Sequence, residues 1–455
     1  MPNGRAALAL AAVFAAMLAA FNVGTARLVA SGRAARMVHR DTIVHGDGAR
    51  LYAWLRSAWF DRDLDTANEL ERCFNYPGSR ESVEILKTPT GYAWNHTPVG
   101  SALLWTPFFA LGHVTARGLQ AAVPGIEADG YSHPYALAVA LGTHVYCFLG
   151  ALLLFSICAR FFPPLPSLLA VLAVWLASFL PAYLFLYPTM SHALSFFSVC
   201  LFLLLWLRVR ERGGLIGWCA LGLAAGLAGL VRTQNLIFLL VPLAGAASGA
   251  RDGGKGRGTA SAALTLLFAA LAFFPQAYAW KVSCGSWITI PQGGGFLHWG
   301  RPAILSVLFS SRHGLFSWTP ALALGALGFP LFVRGERLLG WSLLAAFLLQ
   351  LYLNSVVDDW WAGTGFGARR FDNCLPLFAL GLAAAFDWLC VRRLGWLAAA
   401  LTAALVLWNG LFLCQYATNR VSHSEAIDMG KMARGQPGML ADVARRLLAA
   451  GVAPN

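Results

Sequence analysis

The chain is expected to fold as an all-α polytopic membrane protein, and three observations carry that expectation. Apolar residues make up 58% of its 455 positions and charged residues 12%, whereas a soluble domain carries about 25% charged residues. The apolar residues fall into roughly a dozen runs of spanning or near-spanning length. The carboxylates concentrate outside those runs: nine of the 21 lie between Ser31 and Thr97 (Asp41, Asp47, Asp61, Asp63, Asp65, Glu69, Glu71, Glu81 and Glu84). A carboxylate beside hydrocarbon is costly, so such a concentration marks a wet loop or a site.

The net charge of +13 does not point to nucleic acid. The basic residues are mostly Arg at span ends, where the positive-inside rule places them. The nine Cys form no CxxC pair. Most sit in apolar runs as small hydrophobes, while Cys73, Cys284 and Cys374 lie in or near loops and allow a disulfide without assigning one.

Taken in order, Ala6–Leu28 is a first apolar span, read as an uncleaved signal anchor rather than a cleaved leader. The first loop, 31–97, follows. In it Leu51, Trp54, Leu55, Ala58 and Trp59 form one helical stripe. Its two Trp suit a helix lying in the membrane interface. Asp47, between Gly46 and Gly48, stands where an N-cap would. Later apolar segments run from Val99–Val114 to Leu394–Tyr416. Several are short or broken by Pro, as around a cavity.

The Arg-rich loops at Arg208–Arg212, Arg251–Arg257, Arg334–Arg337 and Arg392-Arg393 read as cytoplasmic. Loops 281–319 and 357–374 then face outward. Val99–Val114 is then either re-entrant or lateral, with an external C-terminus, or one Arg loop misleads. About ten to thirteen spans are expected, in a single membrane domain over 1–416 with a polar, amphipathic tail over 417–455.

The outward loops hold the chemistry. Carboxylates cluster in the first, and Trp94-Asn95-His96-Thr97-Pro98 closes it. His298, Trp299 and Arg301 lie in the next, followed by Arg312-His313 and Trp318. Asp358-Asp359-Trp360-Trp361 and Arg369-Arg370 lie in the last, and span edges add Tyr187, Ser191-His192, Arg232 and Asn235. A carboxylate takes a proton from a hydroxyl. Arg holds a phosphate bidentately and stabilises it as it leaves. Aromatic rings stack on sugars or polyprenyl chains. An anionic lipid-linked substrate and a neutral hydroxyl acceptor fit this set.

Several of these stretches resemble the bacterial GT-C superfamily of integral-membrane glycosyltransferases. They are Asp47-Gly-x-x-x-Tyr52, Arg56-Ser57, Asp61-x-Asp63-Leu-Asp65, Asn68-Glu69 and the Gly222–Arg232 span end. Arg312-His313-Gly-Leu-Phe and Gly365-Phe-Gly-Ala-Arg369-Arg370 complete the set. The nearest groups are the protein O-mannosyltransferases and the lipid A aminoarabinose transferase-like enzymes. The resemblance implies a GT-C-type helix bundle in the bacterial cytoplasmic (inner) membrane, with its active site facing outward. It implies a polyprenyl-phosphate sugar donor and a glycan, lipid or protein acceptor. The early first-loop Asp of the family, here Asp47, serves as base. Where some members carry an acid-Lys pair before Pro, this chain has Asn95-His96-Thr97-Pro98.

The candidate catalytic residues are therefore Asp47 and Glu69. Arg232, Arg301, Arg369, Arg370 and His298 are candidates for the donor phosphate, and Tyr52, His96, His192, His313 and Trp360 for substrate. A divalent cation is possible, with Asp63, Asp65 and His96 the residues to hold it. The Asp61–Asp65 run lacks the Gly and late Glu of a calcium loop, which favours solvated loop acids. The rival from another class is a transporter or flippase for a lipid-linked sugar. Transporters favour paired repeats and midplane charges, and the sequence shows neither.

Overall fold

A computed structural model describes residues 4–30, 43–75, 84–249 and 255–451. Asp41, Glu81 and part of the Arg251–Arg257 loop lie outside them. The described residues are helical, with isolated bridges at Lys87–Ala93 and Leu297–Val357 and no strand. Seven helices are long and apolar enough to cross a membrane, and four shorter ones are apolar. Large apolar side chains on their outer faces, such as Leu271, Leu327 and Trp396, are exposed. Apolar helices with uncovered apolar faces need lipid around them. The chain is an all-helical, membrane-embedded protein.

The helices are α1 Gly4–Ala30, α2 Asp47–Arg56, α3 Ala67–Phe74, α4 Gly100–Leu119, α5 His133–Cys158, α6 Pro164–Leu176, α7 Ala182–Phe185, α8 His192–Arg212, α9 Leu215–Val231 and α10 Leu240–Gly249. They continue as α11 Lys255–Cys284, α12 Ile304–Phe309, α13 Leu315–Trp318, α14 Pro320–Gly335, α15 Arg337–Ser355, α16 Leu375–Val391, α17 Gly395–Ala417 and α18 Met429–Gly451. The chain divides into two compact units, residues 1–157 with 183–296, and residues 158–182 with 297–455.

In the first unit α9 packs along both α8 and α11. Glycine makes the α9–α11 approach possible: a Cβ at Gly222 would meet Phe268 Cβ at 2.7 Å, and one at Gly226 would meet Ala272 Cβ at 2.5 Å. Small residues four apart let helix backbones close in on each other in lipid. The start of α4 sits against the end of α9, where a Cβ on Gly100 would run into the backbone of Leu230 and Val231. The segment expected to be re-entrant or lateral is thus one continuous helix, α4, although it is not among the seven apolar spans.

In the second unit α14 and α16 make the tightest crossing, through Gly325, Gly328 and Gly381. α16 and α17 both pack on α6. Asn409 of α17 donates from Nδ2 to the carbonyls of Leu176 (2.9 Å) and Ser178 (2.7 Å), just where α6 ends. Carbonyls left at a helix end need such donors. Asn409 is 2% exposed. Asn409→Leu is expected to destabilise the protein by about 1–3 kcal/mol, seen as a lower thermal midpoint of the purified chain.

The connections of this unit also place its C-terminal segment. α14 leads from the 297–319 loop to Arg334, α15 returns, α16 leads away to Arg392, and α17 returns again. Ile427 N–H then donates to the Ser311 carbonyl (3.3 Å), and Arg312 Nε to the Ser424 carbonyl (2.5 Å). The segment after α17 therefore lies against the 297–319 loop. In the amphipathic tail expected over 417–455, α18 runs from Met429 to Gly451 and packs on α17.

Candidate functional site around Asp47

The first loop folds around α2. Gly46 is the N-cap, with φ 57°, and Asp47 is the first helical residue. That corrects the expectation of Asp47 as N-cap. A positive φ suits Gly and not Asp, so the cap falls one residue earlier. The Asp47 carboxylate stays in the first turn, where the helix dipole favours an anion. The stripe of Leu51, Trp54 and Leu55 does not face a bilayer. These side chains are buried, and Trp54 donates from Nε1 to the Thr97 carbonyl (2.9 Å). After Arg56 the helix widens into a π turn, Ser57–Asp61, which leaves Ala58 and Trp59 exposed.

Asp47 and His96 come together, with Asp47 Oδ1 3.7 Å from His96 Nε2. The 94–97 segment is held for this. Arg50 Nη1 donates to the Trp94 carbonyl (2.9 Å), and Asn95 Nδ2 to the Arg50 carbonyl (2.9 Å). Thr97 donates to Asn95 Oδ1 from both N (3.1 Å) and Oγ1 (2.7 Å). The Trp94 ring lies 4.9 Å from that of His96, and its Nε1 donates to the Pro291 carbonyl (2.5 Å). Asn95-His96-Thr97 is thus a fixed corner that presents His96 to Asp47.

The same end of this unit holds the 187–192 segment. A Cβ on Gly48 would run into Thr189, so α2 starts in direct contact with that segment. Thr189 Oγ1 donates to the Ile43 carbonyl (3.0 Å), and the His45 ring lies 5.2 Å from Tyr187. Tyr183 stacks between Tyr187 (5.8 Å) and His192 (4.2 Å). Arg232, the extended residue that ends α9, donates from Nη1 to His192 Nδ1 (3.1 Å) and Ser191 Oγ (3.4 Å). Accepting at Nδ1 leaves the ring proton of a neutral His192 on Nε2. Two stretches 185 residues apart, at Asp47 and Arg232, therefore meet the same short segment.

Glu69 is elsewhere. Its Oε1 accepts from Arg56 Nη1 (2.9 Å), and Arg56 also pairs with Asp61. Arg56 is nine residues along α2 from Asp47, a rise of about 13 Å, so the structure does not bring the two carboxylates together. Tyr52 is 1% exposed, and its hydroxyl donates to the Gly130 carbonyl (2.6 Å). It fastens α2 to the 129–131 turn and offers nothing to a substrate. Asp63 and Asp65 organise backbone. Asp63 Oδ1 accepts from Ser57 Oγ (2.7 Å), and Asp65 Oδ1 from the N–H groups of Ala67 (3.2 Å) and Ala93 (3.0 Å). Among the described residues no three His, Cys, Asp or Glu side chains gather into a metal set. Cys73, Cys284 and Cys374 carry free thiols.

The second unit holds its own polar group. His298 Nε2 lies 3.1 Å from Asp358 Oδ1, and Arg301 is exposed beside it. Arg370 donates to Asp359 Oδ1 (2.7 Å) and to the Asp359 carbonyl (3.0 Å). Arg369 is half-buried. Trp360 is half-buried and perpendicular to Trp361, over which Arg312 stacks at 3.9 Å. His313 is 2% exposed, so it is buried rather than turned to a substrate. It lies between α12 and α13 at φ 57° with Nδ1 2.8 Å from the Trp361 carbonyl. Burial, against that hydrogen bond, pulls its pKa down to about 4.

Not legible in the sequence were Tyr183, the Thr189 contact and the roles of Arg56, Asp129 and Tyr131. The Asp47–Arg50 spacing of three, one helical turn, was the available signal that both sit on one face. No known family model matches the chain, and no curated protein matches it.

Proposed function

We propose that the chain is a GT-C-type glycosyltransferase of a bacterial inner membrane. It moves a monosaccharide from a polyprenyl-phosphate donor to an acceptor hydroxyl on the outer face. The observation that carries this reading is the arrangement around segment 187–192. The helix turn that carries the half-exposed Asp47 carboxylate abuts this segment at Thr189, and the Arg232 guanidinium bonds it at Ser191 and His192.

Asp47 accepts the proton of the acceptor hydroxyl. The hydroxyl oxygen bonds to the anomeric carbon, and the bond from that carbon to the phosphate oxygen breaks with its electron pair. The transition state has oxocarbenium character, and attack opposite the leaving group inverts the centre. Arg232 is suited to the charge that develops on the phosphate. His96, 3.7 Å from Asp47, orients the carboxylate.

The test uses purified protein in lipid vesicles with a panel of polyprenyl-phosphate sugars. Release of free polyprenyl phosphate with an acceptor present is the expected result. Movement of intact donor across the bilayer, with no release from any donor, overturns the reading in favour of a transporter.

A further inference from the structure

The end of α2 far from Asp47 carries a group that the proposed chemistry does not use. Glu69 on α3 is 1% exposed, and its Oε2 is buried with no hydrogen-bond partner among the described residues. Its Oε1 shares Arg56 Nη1 with Asp61. Asp61 Oδ2 also accepts from Asn68 Nδ2 (2.8 Å). Arg56 is held on the other side by the Asp129 carbonyl (3.3 Å) and lies over the rings of Tyr131 (4.7 Å) and Phe60 (5.2 Å). Arg72 pairs with Asp129 (3.1 Å) and lies over Tyr131 at 3.9 Å. These contacts join α2, the π turn, α3 and the 129–131 turn. The groups facing Glu69 are thus Arg56 and Asp61 from α2 and its π turn, Cys73 from α3 and Tyr131 from the turn. Tyr52, Tyr135 and the Arg72–Asp129 pair stand behind them. The other face of α3 is apolar, with Leu70 against Ala53 and Ala93.

We propose that this cluster is a proton-operated latch: protonated Glu69 holds α3 closed on α2, and ionisation loosens it. The physical reason is the unpartnered oxygen. A neutral Glu69 carboxyl keeps its proton and donates a hydrogen bond to the Asp61 carboxylate beside Arg56. An ionised Glu69 puts a second negative charge in a site with one guanidinium and leaves a buried lone pair unsatisfied. Such a pair titrates as a unit. Burial raises Glu69, Arg56 lowers it and Asp61 raises it, and the balance is about 7. For Asp61, slight burial upward is outweighed by hydrogen bonds from Asn68 and Glu69 and by the charge of Arg56, so it sits low.

The sign follows from linkage. With α3 released, Glu69 returns to its ordinary value of 4.5. Below that value both states are protonated, and the closed state keeps its full advantage. Between 4.5 and about 7 the released state alone gives up its proton, so opening rises by roughly tenfold per pH unit. Above about 7 both states are ionised, and the rise stops.

The test is hydrogen exchange of the α3 amides in the full chain, from pH 5 to pH 8, corrected for intrinsic rates. Wild type is expected to lose protection by roughly tenfold per unit up to about pH 7 and then level off. Glu69→Gln, always neutral, is expected to give a flat profile. Asp61→Asn, which removes the neighbouring negative charge and leaves only a weaker amide acceptor, is expected to level off at lower pH. A flat wild-type profile overturns the latch even if Glu69→Gln fails to fold. A slope that persists in Glu69→Gln, or a levelling point unmoved in Asp61→Asn, overturns it as well. None of these readouts depends on glycosyl transfer.

Discussion

Asp47→Asn is expected to lower polyprenyl-phosphate release by about 100- to 10,000-fold, with the protein still folded. Asn has the shape of Asp but cannot take up the acceptor proton. The Asp47 carboxylate makes no side-chain cap bond, and its interaction with the helix dipole is of the order of 0.3–1 kcal/mol. Its side chain is 46% exposed, so the substitution buries no new polar group. The checks are initial rate with a saturating donor and thermal midpoint, measured together. Unchanged release would remove Asp47 from the chemistry and overturn the mechanism above. Lost release with an equally lowered midpoint would show only unfolding, and Asp47→Glu then serves as the second variant. It keeps the charge and moves it by one methylene, so partial release with a normal midpoint is expected.

Gly381→Val is expected to be the most damaging single change in the second unit. A Cβ there would overlap the Gly325 carbonyl oxygen and meet Phe329 N at 2.9 Å. Both are backbone atoms of α14, and neither can rotate away. α14 would have to move off α16 along the crossing that also uses Gly328. Overpacking of this kind typically costs about 1–3 kcal/mol, and more where backbone must shift. Thermal unfolding and monodispersity in detergent would measure it. Gly410→Ala is the matched control: it lies in the neighbouring α17, and a Cβ there meets nothing within 4 Å. It is expected to leave the midpoint unchanged or raise it, since Ala is the better helix former by about 1 kcal/mol. Equal behaviour of the two would refute the close-approach argument.

Helix class was readable because it rests on composition and run length, which are local properties. Membrane embedding was readable for the same reason. The α2 helix was readable from the spacing of Leu51, Trp54 and Leu55, yet its surroundings were not. The same stripe serves a helix in a membrane interface and a helix buried in protein, and only the Trp54–Thr97 bond separates the two. Glu69 and Asp47 looked alike as first-loop carboxylates. The turn of α2 put them at opposite ends, one beside His96 and one against Arg56.

What the sequence determined by itself is therefore the medium and the inventory: an apolar, helical chain with its carboxylates gathered in the first loop. These follow from transfer free energies and helical periodicity, which act on neighbours in the chain. Tertiary structure alone decided which members of the inventory meet. Asp47 reaches His96 because Asn95 is tied to Arg50. Arg232 reaches His192 because α9 breaks at that residue beside the start of α8. Tyr52 and His313 are withdrawn because burial pairs the Tyr52 hydroxyl and His313 Nδ1 with backbone carbonyls. Those are contacts between residues far apart in sequence, and no local pattern encodes a partner that packing brings from elsewhere.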